Sequence, residues 1–207
     1  MINYPITRFV SLELALKEIA PFIRNGKYLL NGKPIKRFGG MLPREMLANW
    51  LVCVAANATG EVKLTFLSDP VGGDGVLYDE KTRDTWPTEH VMVPPLRSGQ
   101  TGDGHSLVVD AVQKKCRKGG AAYARGKTLI VFMEAGTGVG AWYPNRIARG
   151  LPNPLHFGSV WIVALQGIED GEYVYGVSLL DVGNSNAPTF RVRINRDFTS
   201  WQVTREQ

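Results

Sequence analysis

The sequence predicts a mixed α/β domain, in which a central sheet of mixed strand direction is flanked by helices and extended by further strands at the C-terminal end. Residues 43–134 read in the order helix, strand, strand, strand, helix, strand. The last of these strands, "KTLIVFMEA" (127–135), is continuously apolar, which is typical of a strand covered on both faces. A helix that joins a hairpin to such a strand is a crossover connection, so this order predicts helices on the faces of the sheet.

Length and composition agree with one globular domain. The chain has 207 residues, of which 44% are hydrophobic and 21% are charged, which is enough apolar surface for a core. It has no run of about 18 apolar residues and no secretory signal pattern at its start, so we expect a cytoplasmic protein and no membrane partner. Cys53 and Cys116 lie among apolar neighbours and are expected to be free thiols. Two cysteines and three scattered histidines do not make a zinc motif.

The single domain 1–207 is expected to begin with an N-terminal helix and a basic loop. Residues 11–24 place apolar side chains at helical spacing behind a serine that can cap the helix. The glycine-punctuated, basic segment 25–40 is read as a short hairpin. Residues 43–58 give the clearest helix, because a proline suits its first turn and a glycine follows its end.

The core, residues 43–134, continues with strands and a second helix. The segment after the first core helix alternates like a strand, and two further alternating runs follow it as a hairpin. The second helix is expected to fray or end at Gly119-Gly120. After a loop at 136–158, the region 155–207 reads as C-terminal strands, with a hairpin turn at 169–171. The expected core elements after the first helix are strands at 61–68, 74–80, 87–93 and 127–134 and a helix at 106–118.

Two carboxylates frame the predicted hairpin. Asp74 opens it behind two glycines, and Glu89 lies in the returning strand. On adjacent antiparallel strands the two acids can approach closely, and they would repel each other unless a cation lay between them. Two plainer interpretations stay open: Gly-Asp-Gly is ordinary turn chemistry, and Glu89 can be an exposed strand residue opposite a lysine. His90 is expected on the opposite face and is read as structural. Asp69 is read as a turn former, and as a fallback ligand if Asp74 faces away.

The element order and these acids resemble the PD-(D/E)XK nuclease superfamily, which has the restriction-endonuclease-like fold. The resemblance covers residues 43–134. "GDG" at 73–75 is similar to the family's P-D-G, with glycine in place of proline, and Glu89 falls where the second acid is expected. It implies that Asp74 and Glu89 bind Mg²⁺ or Mn²⁺, which would activate water and stabilise the leaving oxygen. Glu45 is expected to assist, although an acid in a first helical turn also favours the helix dipole.

The sequence departs from the family pattern at its lysine. The expected place is two residues after Glu89, and that residue is Val91. The family tolerates a lysine supplied by the following helix, which here carries Lys114, Lys115 and Lys118. Lys115 has the helical phase closest to the buried apolar residues, so we rank it above Lys114 as the catalytic cation.

The same helix allows two further interpretations. Gln113 and Tyr123 resemble, at a longer spacing, the Gln and Tyr found on that helix in some nuclease branches. If no lysine reaches the acids, the lysines are a solvated helix face, and the domain binds nucleic acid or a protein partner without cutting.

The basic residues point to a polyanionic partner. The formal charge is +5, and much of the excess lies in short segments. One of these, "AWYPNRIARG", mixes Trp142, Tyr143, Arg146 and Arg149, and aromatic residues beside arginines suit phosphates and unstacked bases. The same segment also suits ordinary packing of a loop onto a sheet. Together with Lys118, these four residues are the candidate nucleic-acid-binding residues, and DNA is the expected partner.

Three functions follow from the sequence. The first is a metal-dependent endonuclease that hydrolyses phosphodiester bonds in DNA. The second is a catalytically inactive nuclease-fold domain that binds nucleic acid or a protein partner, as Val91 would allow. The third is an unrelated small-molecule enzyme or structural protein, in which the acids are turn and surface residues. A homodimer or larger assembly is left open.

Overall fold

The computed structural model describes residues 9–96, 102–134, 143–153 and 155–207, and these ranges contain five α-helices and eight strands. The helices are α1 (Leu12–Arg24), α2 (Lys27–Asn31), α3 (Pro43–Asn57), α4 (Gly104–Ala124) and α5 (Pro144–Gly150). The strands are β1 (Leu64–Leu67), β2 (Gly75–Asp79), β3 (Thr85–Val93), β4 (Thr128–Met133), β5 (Ser159–Glu169), β6 (Glu172–Leu179), β7 (Thr189–Ile194) and β8 (Trp201–Arg205).

All eight strands form one sheet, in the order β1 to β8. Strands β1, β2 and β3 are antiparallel neighbours, whereas β3, β4 and β5 run parallel. Strands β5 to β8 return to antiparallel pairing. The predicted mixed α/β class is therefore confirmed. The predicted hairpin also lies in the same sheet as the predicted buried strand.

Helix α3 lies inside the curl of the sheet. Its residues are buried from Pro43 to Ala56 with the exception of Arg44, as expected for a helix that is apolar on all sides. It contacts both β1 and β7, near opposite ends of the sheet. Trp50 also packs edge-to-face on Trp201 of β8, with ring centroids 5.2 Å apart. Because the sheet wraps around α3, one face of β2 and β3 is closed to solvent.

Helix α4 covers the other face and makes the crossover from β3 to β4. Its buried residues Val108 and Val112 pack in one core with Leu129 and Val131 of β4. The predicted fraying or end at Gly119-Gly120 coincides with a break in the helical backbone at Gly120, where φ is +59°, and helical structure resumes beyond the break as far as Ala124. The Cβ of Tyr123 occupies the space that a side chain at position 119 would need. The extra turn therefore returns Tyr123 toward the sheet.

Two predictions are corrected by the structure. The segment 25–40 is not a hairpin: it forms the short helix α2 and a 3-10 turn at Lys36–Phe38, with only an isolated bridge between Ile35 and Met41. The loop predicted over 136–158 contains helix α5, because Pro144 suits a first helical turn and Ile147 and Ala148 are buried against the α4 core. In the described part of the chain, no helix combines the length and apolarity needed to cross a membrane.

Candidate functional site

Strand pairing brings the two predicted acids to neighbouring positions. Gly75 of β2 pairs with Thr88 of β3, so Asp74 lies just before that pair on one strand and Glu89 lies just after it on the other. Along β3, Glu89 pairs with Leu129, which belongs to the α4-side core, whereas His90 pairs with Ile130 on the α3 side. Glu89 and His90 therefore face opposite sides of the sheet, as the alternation of a strand requires, and the expectation for His90 is confirmed.

Two lysines contact Glu89. Lys115 Nζ lies 3.1 Å from Glu89 Oε2, and Lys127 Nζ lies 2.9 Å from Glu89 Oε1. The side chains are partly buried, with exposed fractions of 17% for Lys115, 27% for Lys127 and 11% for Glu89. Charge-assisted contacts with so little water are stronger than surface ion pairs. The ammonium expected to replace a lysine at Val91 thus lies beside the second acid.

Tyr123 completes the surroundings of Glu89. The Lys127 ammonium lies 4.2 Å from the centre of the Tyr123 ring, a cation–π contact. Burial acts to raise the pKa of the Glu89 carboxyl, but hydrogen bonds from Tyr123, Lys127 and Lys115 outweigh it and hold that pKa below its ordinary value. Burial, the hydrogen bond to Glu89 and the negative charges of Glu89 and Asp74 raise the pKa of Tyr123. Glu89 is therefore ionised and Tyr123 is a neutral donor at neutral pH.

Asp74 is held from the opposite side of the strand. Its Oδ2 accepts a 2.6 Å hydrogen bond from the backbone N–H of His90, and His90 Nδ1 lies 3.5 Å from the same oxygen. Asn49 Nδ2 donates to the Asp74 carbonyl at 3.3 Å. Burial acts to raise the pKa of Asp74, but the contacts with His90 and the charge of Lys115 outweigh it, so that pKa is lowered. Lys115 thus influences both acids.

Glu45 acts as a helix cap. Its Oε2 accepts a 2.9 Å hydrogen bond from the backbone N–H of Leu42, at the start of α3. Burial raises the pKa of Glu45, and the negative charge of Asp74 raises it further. The capping contact agrees with the helix-terminus interpretation, and the influence of Asp74 shows that Glu45 lies at the same end of the sheet.

The α3 side of β3 contains buried polar atoms without hydrogen-bond partners in the described residues: Asn49 Oδ1, Thr88 Oγ1 and both ring nitrogens of His90. Gly75 closes this region. Its φ is +152°, and an added Cβ would meet Asn49 Nδ2 at 2.5 Å, so glycine is required there. The glycine after Asp74 therefore serves packing as well as the turn. Asp69, the fallback ligand, caps its own turn by accepting from Val71 N at 2.8 Å.

The donor set can be compared with the needs of a divalent ion. The described residues contain no group of three or more histidine, cysteine or carboxylate side chains that could hold a metal ion. Mg²⁺ is usually bound through one or two carboxylates together with substrate phosphates and water. Asp74 and Glu89 are two hard oxygen donors on neighbouring strands, which is the number of carboxylates that such an ion takes, but Asp74 contacts His90 of the α3 side whereas Glu89 faces the α4 side. They do not fit an ion held by protein side chains alone.

A groove on the α4 side shares Lys115 with Glu89. It has a volume of about 780 Å³ and is lined by Val91, Ala111, Lys114, Lys115, Arg117 and Lys118; we call it the α4 groove. Val91 lies two residues after Glu89 and faces the same side of the sheet. Lys114 is exposed in the groove, whereas Lys115 turns to Glu89. Position 115, and not 114, therefore supplies the contact to the acid.

The predicted nucleic-acid residues that the structure describes in the segment 141–150 are not brought to Glu89. Tyr143, Arg146 and Arg149 are exposed on or next to α5, and Trp142 lies outside the described residues. Helix α5 packs on the first turn of α4, where a side chain at Gly150 would meet His105 Cε1 at 2.9 Å. His105 and Lys115 are ten positions apart on one helix, or about 15 Å along its axis. These residues can form only a separate surface.

Lys127 is the site residue that sequence reasoning missed. It precedes the apolar run of β4, so the sequence pattern indicates only the start of a strand at this position. The available signal was the alternation of a strand: Lys127 and Leu129 share a face, and Leu129 pairs with Glu89. Identifying it required the parallel register between β3 and β4, which no local pattern contains.

Comparisons of the chain with protein-family models, with curated proteins and with solved structures returned no match.

Proposed function

We propose that the protein is a metal-dependent nuclease with a restriction-endonuclease-like core, and that it hydrolyses phosphodiester bonds, with DNA as the expected substrate. The observation that carries the proposal is the contact between Lys115 Nζ and Glu89 Oε2 at 3.1 Å. Val91 removes the cation from its expected position on the strand, and Lys115 restores an ammonium beside the same acid from the crossover helix.

The topology gives independent support. A helix is followed by three antiparallel strands, a crossover helix and a fourth strand parallel to the third. This is the arrangement that the resemblance predicted for residues 43–134, and it places Asp74 and Glu89 at adjacent positions of two strands. The agreement supports the restriction-endonuclease-like core.

Each residue has a role in this proposal. Asp74 and Glu89 would hold Mg²⁺ or Mn²⁺ together with a phosphate of the substrate. The ion would polarise the phosphate and lower the pKa of a water molecule bound to it. Lys115 stabilises negative charge that develops on the phosphate. Lys127 keeps Glu89 ionised and fixed in direction when Lys115 turns to the substrate, because it binds the other carboxylate oxygen independently of Lys115.

A second candidate is a domain that binds nucleic acid without cutting it. It is favoured by the double ion pair of Glu89, since a carboxylate already bound by two ammonium groups can serve as a purely structural anchor. The absence of a three-ligand group among the described residues agrees with it.

Plasmid cleavage separates the two candidates. Wild-type protein is incubated with supercoiled DNA and Mg²⁺ or Mn²⁺, with EDTA as the metal-free control. We expect metal-dependent cleavage that Lys115→Ala reduces by a factor on the order of 100 or more, because the substitution removes a charge stabiliser of the transition state. Lys17→Ala, which changes an exposed lysine on α1, is the matched control and should cleave like wild type. Absence of cleavage by wild type with either ion favours the binding domain.

A further inference from the structure

The residues that line the α4 groove include four cations and no acid. From Ala111 to Ala124, helix α4 carries four cations, at 114, 115, 117 and 118, and no Asp or Glu, and the exposed Asp110 lies one turn before Lys114. Lys115 is paired with Glu89. Within the described residues, the other three have no carboxylate partner, and all three are exposed. An ordinary solvated helix face mixes both signs of charge, whereas the charged residues that line the groove are all cations, which favours an anionic ligand.

Shape adds to charge. The cations border a concave volume of about 780 Å³ whose apolar lining comes from Val91 and Ala111. Lys114 and Lys118 are one helical turn apart on the same face, which spaces them by about 6 Å along the helix. The groove also shares Lys115 with the Glu89 site, so a chain of negative charges that follows the groove is led to the acids.

We propose that the α4 groove binds the phosphate backbone of a nucleic-acid strand and directs it to the Glu89 site. This inference rests on the proposed function, because it assigns the surface by which the substrate approaches. Nucleic acid fits better than a lipid surface, since a concave groove presents its cations to a strand that enters it and not to a flat plane of headgroups. The proposal also assigns Lys114, Arg117 and Lys118 to binding of the strand, whereas Lys115 is assigned to the cleavage step.

Binding measured without metal tests this assignment. A fluorescein-labelled 20-base-pair DNA duplex and the corresponding single strand are titrated in EDTA, at several salt concentrations, and followed by fluorescence anisotropy. The groove variant is Lys114→Ala with Arg117→Ala and Lys118→Ala. The matched control is Lys17→Ala with Lys33→Ala and Lys36→Ala, which removes the same formal charge from exposed positions outside the groove.

The groove variant should lose affinity by a factor on the order of 100 at 0.1 M salt. The slope of log K against log salt should flatten by about 2 to 3, because the variant neutralises fewer phosphates and so releases fewer counterions on binding. The control should change that slope by less than about 1. Circular dichroism confirms folding, and the single change Lys118→Glu replaces the triple variant if the triple variant does not fold. Equal losses in both variants, or an unchanged groove variant, would overturn the assignment.

Two further outcomes keep this inference separate from the proposed function. If wild type never cuts DNA but the groove variant still loses binding, the nuclease proposal fails and the groove assignment stands. If wild type cuts and the groove variant binds like wild type, the nuclease proposal stands and the groove assignment fails. Vesicles containing phosphatidylserine are a third probe, and a groove variant that loses vesicle binding while retaining DNA binding would overturn nucleic acid as the partner.

Discussion

Glu89 and His90 are consecutive residues on one strand, yet the sheet gives them opposite environments. On the α4 side, Glu89 has two ammonium groups within 3.1 Å, and one of them, from Lys115, also lines the basic α4 groove. On the α3 side, His90 is 8% exposed and has no hydrogen-bond partner for its ring nitrogens among the described residues. One face therefore balances its charge with partly exposed lysine side chains, and the other holds its polar groups through packing.

The α4 face therefore carries the side chains that can act on a ligand, and the α3 face holds the strands in position. Lysine side chains that bind a carboxylate can turn to a phosphate when one arrives, so the α4 face can respond to a ligand. The α3 face cannot respond in this way, because its polar groups are enclosed by the curled sheet and α3. Asp74 joins the two faces: His90 and Asn49 fix it from the α3 side, while Lys115 lowers its pKa from the α4 side.

The largest contrast is expected in cleavage. Glu89→Gln removes the charge of the second acid and should reduce metal-dependent cleavage by a factor on the order of 1,000, since an ion shared with the substrate loses one of two protein ligands. His90→Gln retains the backbone N–H that holds Asp74 and should stay within about tenfold of wild type. Initial rates on a labelled duplex measure both. Similar losses in the two variants would remove the distinction between the faces.

Stability should show a smaller contrast. Glu89→Leu leaves two partly buried ammonium groups without their partner and should lower the free energy of unfolding by about 2 kcal/mol, less than a fully buried pair because both lysines retain some water. His90→Phe replaces ring nitrogens that make no hydrogen bond of good geometry, although Nδ1 lies 3.5 Å from Asp74 Oδ2, and it should cost less than about 1 kcal/mol. Urea unfolding compares the variants. The account is weakened if His90→Phe is the more damaging change.

The pH dependence of stability should have opposite signs for two acids near β3. The pKa of folded Glu89 is lowered from 4.5, so its contribution is present above that pH and is lost as pH falls through the lowered value. The pKa of folded Glu45 is raised from 4.5, so ionising it at higher pH works against folding. Glu89→Gln should therefore reduce stability near pH 7 but less at pH 3. Glu45→Gln can still cap α3, and its free energy of unfolding relative to wild type should increase as pH rises. Urea midpoints from pH 3 to 7 check both signs.

The smallest effect is expected at Tyr123. Tyr123→Phe keeps the ring under Lys127 but removes the hydroxyl that bonds Glu89, so it should cost about 1 kcal/mol. It should also raise the pKa of Glu89, because a hydrogen bond to the ionised form is lost. NMR titration of the Glu89 carboxyl carbon reports that shift, and an unchanged titration would show that Tyr123 does not hold the acid.

Part of this site could be predicted from local sequence. Alternation along β3 was enough to separate Glu89 from His90, and helical phase was enough to select Lys115 over Lys114. Lys127 could not be found in this way, because its contact depends on the parallel register of β3 and β4. Helix α5 was missed although Pro144 and Gly150 suit its two ends, since seven residues carry too weak a periodic signal. Helix α2 has five residues, none of them buried, so no apolar pattern could reveal it.

The central claim is that Asp74 and Glu89 share an ion beside Lys115, and crystals soaked with Mn²⁺ and a short DNA test it most directly. Anomalous scattering should locate Mn²⁺ in contact with both carboxylates and a DNA phosphate, with Lys115 Nζ turned from Glu89 to the phosphate and Lys127 still bound to Glu89. Mn²⁺ bound elsewhere, or DNA bound while both lysines remain on an ion-free Glu89, would contradict the account.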